Sequence, residues 1–331
     1  MELTDKHQIV IKKLASGRFF STQQLADELA VSRTSAWNYL KALERMGFEL
    51  HAVSGKGTRF KQALELLEAE QIINNISADQ RTLVAKLDLL DVCPSTNHHL
   101  LQQNALKPLA NGVVCMAEMQ TMGRGRLGKA WVSPYGQNIY ASFIWSFKSG
   151  IAALSGLSLA CGVAVCRALE ELGLSGHGLK WPNDILWQGK KLGGILVEIQ
   201  GESQGGYSVV VGIGINYQMS SQASTDIDQP WVDICTAYGG EVGRNKLAAK
   251  LIERVLEMLD SYEATGLAPY VKPWNNFDCY KNKNVHILSG EKVTQGVAKG
   301  ISPSGELVLL KPSGETQLIM SGEVSLRLSE C

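Results

Sequence analysis

A chain of 331 residues, 45% hydrophobic and 19% charged, exceeds what one hydrophobic core usually organises, so two or three domains are expected. A formal net charge of zero argues against a chain built throughout for a polyanion, yet the charge is uneven: residues 1–62 hold ten Lys/Arg against six Asp/Glu, and residues 33–61 alone hold six against two. Seven scattered cysteines (93, 115, 161, 166, 235, 279, 331) without a C-x-x-C pair exclude a disulfide framework or a cysteine zinc site and read as reduced thiols.

The first sixty residues read as three helices and a hairpin. A helix over 5–16 ends at Gly17. Ser21-Thr22-Gln23-Gln24 fits a capping box, and Ser32 caps a third helix that stops at Gly47. In that third helix Ala36, Leu40 and Leu43 share the inward face, while Thr34, Asn38, Lys41 and Arg45 share the outward one. Two short strands over 48–60, turning at Ser54-Gly55-Lys56-Gly57, complete a winged helix-turn-helix. Residues 63–76 read as a helical connector and 77–81 as a boundary.

Strands and helices then mix, with strands expected at 83–90, 113–118, 138–145, 195–199 and 207–215 and helices at 151–172, 245–264 and 270–277. Residues 149–166 lack any charge, long enough to raise a membrane span, but ten of the 18 are Gly, Ala or Ser, which favours a helix packed closely on a sheet. From Lys283 short β runs alternate with Ser-Gly turns, as in a small β-barrel. The N-terminus lacks the basic-then-apolar pattern of a signal peptide, so a cytoplasmic protein without a membrane partner is expected. His98 and His99 are the one adjacent histidine pair, and helix neighbours diverge, so no protein-held metal is expected.

Gly123-Arg124-Gly125-Arg126-Leu127-Gly128 formally matches the dinucleotide fingerprint. That motif needs a helix opening there and an acid about twenty residues on. Lys129-Ala-Trp-Val-Ser-Pro breaks a helix, and no Asp or Glu stands between Glu118 and Glu170, so the fingerprint fails. Three cations, Arg124, Arg126 and Lys129, remain on a flexible backbone suited to phosphate or carboxylate. Downstream, Lys180-Trp181-Pro182-Asn183-Asp184 presents an amide and a carboxylate at a rigid turn. Lys190-Lys191-Leu-Gly-Gly194 leads into a strand, and Gly212-Ile-Gly214-Ile-Asn216 offers small residues beside a ligand.

Pro94-Ser95-Thr96-Asn97, G-R-G-R-x-G, K-W-P-N-D, K-L-G-G-I-L-V-E and G-I-G-I-N, in that order, resemble the biotin–protein ligases. With the winged helix and the small β tail, the chain is similar to the bifunctional members that also repress the biotin operon. The resemblance implies an α+β multidomain protein: a winged-helix DNA-binding domain (1–62), a linker (63–81), a mixed α/β catalytic domain related to class II synthetases (82–278) and a small Src-homology-like β-barrel (279–331). It implies the formation of biotinyl-5′-AMP from biotin and ATP, with Mg2+ arriving on the nucleotide. Transfer to a lysine of the biotin carboxyl carrier protein of acetyl-CoA carboxylase would follow. Biotinyl-AMP would also act as corepressor, inducing a homodimer on operator DNA, with the edge of a strand at 195–202 a candidate contact.

By the same resemblance Lys191, Arg124, Arg126 and Asp184 are catalytic. Ser95, Thr96, Asn97, Gln120, Gly125, Asn183, Gly194 and Asn216, with the two arginines and Lys191, hold biotin or its adenylate. Whether Asp184 handles metal or the acceptor amine stays open. Thr22, Arg33, Thr34, Asn38, Lys41, Arg45 and Lys56 would meet DNA. Pro94 stands where the family often has Asp, and Lys129 where it commonly has Arg. A regulator without catalysis and a lipoate ligase are the alternatives.

Overall fold

The computed structural model describes residues 3–203, 206–220, 227–239, 242–290, 292–322 and 325–328. The head comprises α1 (Asp5–Ala15), α2 (Thr22–Glu28), α3 (Arg33–Arg45), β1 (Leu50–Val53) and β2 (Gly57–Phe60). The expected capping box forms: Ser21 Oγ accepts from the Gln24 amide at 3.1 Å and Gln24 Oε1 from the Ser21 amide at 2.8 Å. Ser32 caps α3 through the Ser35 amide at 3.1 Å. Ile11, Leu14, Leu25, Ala36, Leu40, Leu43, Phe48 and Phe60 close one small core. Phe20 pairs with Thr58, adding an isolated antiparallel bridge on the outer side of β2. The opposite side of α3 leaves Arg33, Thr34, Asn38, Lys41 and Arg45 exposed, and Lys56 is exposed in the hairpin turn.

Residues 63–68 form neither helix nor strand; α4 (Ala69–Asn75) and α5 (Ala78–Arg81) follow. The segment is anchored. Leu67, Ile72 and Ile76 enter the main core, and Glu65 accepts from the Arg244 and Asn245 amides at 2.6 and 3.0 Å. Arg244 is fully buried, ion-paired with Glu118 at 2.6 Å, and its guanidinium also donates to the Asn138 and Glu65 carbonyls. A buried charge is tolerated only with such complete pairing.

The centre is a seven-stranded sheet ordered β3-β4-β5-β9-β8-β7-β6. Its strands are β3 (Lys86–Cys93), β4 (Val113–Gln120), β5 (Asn138–Phe147), β6 (His177–Lys180), β7 (Asp184–Trp187), β8 (Lys190–Ser203) and β9 (Gly206–Asn216). Only β3 and β4 pair in parallel, joined across α6 (Thr96–Leu106), a helix that the periodicity did not announce. Its apolar residues are few, and its first turn is occupied by Thr96 and Asn97, which face the site instead.

One sheet face is covered by α7 (Leu157–Glu171), α9 (Arg244–Thr265) and α10 (Ala268–Phe277), the other partly by α6. The alternation of β9 shows how the sequence achieves this. Val209, Val211, Ile213 and Ile215 point into the main core, while Val210 packs under α6 and Gly212, Gly214 and Asn216 line a cavity. The expected helix 151–172 is broken: a 3-10 turn (Ile151–Leu154) meets Gly156 at φ 78° before α7 begins. The stretch is apolar and long enough to cross a membrane, but α7 is buried against α9 and α10, as its small residues suggest. A short α8 (Ile234–Tyr238) precedes α9.

The tail holds β10 (Asn284–Ser289), β11 (Lys292–Ile301), β12 (Leu307–Leu310), β13 (Thr316–Ile319) and β14 (Ser325–Leu328). They pair antiparallel in the order β13-β12-β11-β10-β14, the last strand returning beside the first. Val285, Ile287, Leu309 and Leu326 join the main core, so the tail packs against the central body.

Candidate active site

The cavity on the α6 side of the sheet encloses about 390 Å3. Ser95, Thr96, Asn97, Gln120, Arg124, Gly125, Arg126, Asn183, Asp184, Lys191, Gly194 and Asn216 all line it, together with Lys129. Six sequence segments therefore converge from β4, β7, β8, β9, the start of α6 and the glycine–arginine loop.

A neutral relay forms one part. The Thr96 amide donates to Gln120 Oε1 at 2.9 Å, and Gln120 Nε2 lies 3.2 Å from Ser133 Oγ. Ser142 Oγ donates to Asn97 Oδ1 at 2.6 Å and stands 2.7 Å from Thr96 Oγ1. Asn97 Nδ2 donates to Glu198 at 2.8 Å. Sequence reasoning missed Ser142 and gave Glu198 no role beyond its place at the end of K-L-G-G-I-L-V-E; the signal for Ser142 was a serine between Ala141 and Phe143 in the largely apolar β5. A side chain on Gly212 would collide with this relay, since a Cβ there would fall 2.3 Å from Asn97 Oδ1. On Gly214 it would fall 2.6 Å from the Trp131 ring. Those two glycines are small because a neighbour occupies their space.

The cationic part gathers around Asp184. Lys191 Nζ lies 2.7 Å from its carboxylate and Lys180 Nζ 3.6 Å. Burial lowers the Lys180 pKa, and Asp184 opposes that shift. Lys191 also stands 5.5 Å over the Trp131 ring. Lys180, which stands in the K-W-P-N-D motif without an assigned role, lines the cavity together with Trp131 and Arg327, which sequence reasoning missed. Arg327 arrives from β14, a segment no local motif connects to the site.

The glycine–arginine loop closes on itself: the Gly125 amide donates to the Lys129 carbonyl at 2.7 Å, and Leu127 sits at φ 56°. Arg124 is not without an acid, as the local sequence suggested; Glu198 reaches it at 3.1 Å from β8. Arg126 donates to Asn183 Oδ1 at 3.2 Å and to the Ser321 and Gly322 carbonyls at 2.5 and 2.8 Å, bridging the site and the tail. Burial lowers its pKa, with Asp184 acting oppositely. Asn183 Nδ2 is committed to the Ile195 carbonyl at 2.9 Å, beside a cis Trp181–Pro182 bond. Asn216 Nδ2 is spent on the Lys191 and Val232 carbonyls, so it braces the β8 entry rather than presenting a free donor. Among the described residues no cluster of His, Cys, Asp and Glu suits a resident metal.

The site reaches toward the head. Ser133 leads to Tyr135, whose hydroxyl donates to Asp91 at 2.9 Å and whose ring lies 5.5 Å from Phe48.

Three family models match: an HTH domain over residues 6–59, the biotin/lipoate A/B protein ligase family over 89–216, and a biotin protein ligase C terminal domain over 281–327. The bifunctional ligase/repressor BirA of Escherichia coli is 37% identical across 97% of this chain and 97% of its own length. A biotin--[acetyl-CoA-carboxylase] ligase of Paracoccus denitrificans is 31% identical, covering 70% of this chain and 96% of its own. The structure of the biotin protein ligase from Aquifex aeolicus in complex with biotin and ATP superposes with TM-score 0.65 at 31% identity, over 74% of this chain and 100% of that one.

Proposed function

The chain belongs to the biotin protein ligase family, in the bifunctional form that carries an HTH head, and from that premise we propose how its residues perform both tasks. It activates biotin with ATP and transfers it to the biotin carboxyl carrier protein of acetyl-CoA carboxylase, and its head binds DNA.

The observation that carries this is one cavity joining a neutral hydrogen-bond relay to a cationic cluster. A neutral ureido ring needs directed donors and acceptors, which Ser95, Thr96, Asn97 and Gln120 provide. A carboxylate attacking an α-phosphate brings two anions together, so fixed positive charge lowers the barrier. The carboxylate oxygen bonds to phosphorus, pyrophosphate leaves, and Arg124, Arg126 and Lys191 compensate the charge. In the second step the carrier lysine's amine, after losing a proton, attacks the acyl carbon and AMP departs.

Asp184 orients Lys191 and Lys180. With Asp228 it supplies the carboxylates among the described cavity-lining residues, a donor set that fits Mg2+ brought by the nucleotide rather than held by the protein alone. Bound there, Mg2+ would neutralise phosphate charge, and Asp184 would be its protein ligand.

Biotinyl-AMP is also the corepressor. β8 is paired with β7 only as far as Gly194; beyond it, residues 195–203 have β9 on one side and no strand on the other among the described residues. That half-edge is the surface for a homodimer, formed when adenylate orders the 123–131 loop. Thr22, Arg33, Thr34, Asn38, Lys41, Arg45 and Lys56 face operator DNA. The proposed divisions are 1–62, 63–81, 82–278 and 279–331. The place of action is the cytoplasm, in keeping with six cysteines that form no disulfide among the described residues.

Biotin-dependent exchange of labelled pyrophosphate into ATP tests the ligase assignment. Exchange with biotin and not with lipoate is expected; exchange with neither, or with lipoate instead, overturns it.

A further inference from the structure

Eleven large hydrophobic residues are well exposed among those described, and Trp37 is the one aromatic among them, at 51%. It lies on α3, one residue beyond buried Ala36 and on the flank of the polar stripe. Its neighbours along that face are Thr34 and Lys41, at i−3 and i+4, with Asn38 next in sequence. Lys41 Nζ stands 5.5 Å from the indole centroid, holding the ring against the helix surface. Among the described residues no side-chain hydrogen bond or ion pair engages Arg33, Thr34 or Asn38. The head core closes without the indole, which is absent from its cluster. Packing therefore gives no reason for a tryptophan here.

The surroundings give the partner's chemistry. Arg33, Lys41 and Arg45 are exposed on the same helix and Lys56 in the hairpin turn, with Lys41 also paired to Glu44 at 2.6 Å; this basic excess on the exposed side of the head matches a polyanion. A recognition helix meets base edges mostly through its first turns, and Trp37 is the fifth residue of α3. In the major groove the apolar landmark is the thymine C5-methyl group, which polar side chains cannot read as well. Phosphate contacts carry no sequence information, whereas an apolar face against a methyl group does.

We propose that Trp37 is a sequence-reading residue, packing its indole against a thymine methyl group in the major groove while Arg33, Lys41 and Arg45 take phosphates. This rests on the assignment of the head to operator binding. It adds a specificity determinant to the polar residues already named there.

The test uses the full chain loaded with biotinyl-AMP. A duplex is first selected from random-sequence DNA, and each of its thymines is then replaced singly by uracil, which lacks only the methyl group. Anisotropy titrations with the intact protein should show one uracil position per half-site that weakens binding about fivefold, the scale of a single apolar base contact. Trp37→Ala should bind the thymine duplex as weakly as the uracil one, with the uracil effect abolished. Its binding to random DNA, and its slope against salt, should be unchanged, which also reports a folded head. Trp37→Phe should retain part of the uracil effect. Sequence-selective binding with a flat uracil scan, or a scan unchanged in Trp37→Ala, overturns the role of Trp37 alone. Failure of the intact protein to select any sequence overturns operator binding itself.

Discussion

Lys191 is held between Asp184 and the Trp131 face, so its ammonium is fixed before any ligand arrives. Lys191→Ala should lose adenylate formation by two orders of magnitude or more, of the order seen when one fixed charge-stabilising donor is removed. Its thermal unfolding should stay close to that of the parent. Both are read by pyrophosphate exchange and calorimetry, and retained exchange would remove Lys191 from the chemistry. Gly212→Ala is a different kind of change: its Cβ would enter the Asn97 relay, whose atoms are already committed to Ser142 and Glu198. Biotin affinity should fall at least tenfold in calorimetric titration, with ATP affinity little altered; the reverse pattern would place Asn97 elsewhere. Most polar positions of this site were legible in the motifs, because each motif carries its residues within a few positions of one another. Arg327 was not, because it enters through the packing of β14; Glu198 and Lys180 stand within the K-L-G-G-I-L-V-E and K-W-P-N-D motifs, but their pairing with Arg124 and Asp184 depends on tertiary register that no local pattern encodes.

At the scale of elements, the loop over 123–131 and the tail are tied by Arg126, which donates to two carbonyls at the far end of the chain. Arg126→Gly should release biotinyl-AMP faster, measured by stopped-flow fluorescence after mixing with excess biotin; an unchanged rate would leave Arg126 without its clasp. At the junction between α10 and β10, Asp278 is pushed up to about 6 by burial, and its Oδ2 has no hydrogen-bond partner among the described residues. A carboxyl whose folded pKa is raised stabilises the fold fully below its unfolded value near 3.8 and loses that contribution as pH rises through about 6. Asp278→Asn should therefore raise the melting temperature at pH 7 more than at pH 4.5. An equal change at both would show that Asp278 is not strained by its charge. Helix periodicity located α3, α9 and α10 well because each has one apolar face. The break at Gly156 and the whole of α6 were hidden, the first in a uniformly apolar stretch and the second in a helix whose leading residues serve the cavity.

Over the whole molecule, Arg244, Glu118, Glu65 and Asn245 weld the connector, the sheet and α9 into one body. Glu118→Gln leaves a buried guanidinium short of its counter-charge and should destabilise the chain by about 3–5 kcal/mol in denaturant unfolding. A loss below 1 kcal/mol would mean that the neutral amide suffices. The same body meets the head through Tyr135 and Phe48, giving the site loop a packed route toward the DNA-binding domain. Four phosphate contacts per head would give a salt slope of only about −3.6, which makes paired heads necessary for tight binding. Acyl transfer to the carrier protein is the activity on which this architecture converges. Its most direct measurement is mass spectrometry of the biotin carboxyl carrier protein after incubation with this chain, biotin and MgATP. One biotinyl group on a single lysine is predicted, dependent on ATP. An unmodified carrier, in the presence of an intact and folded chain, would contradict it.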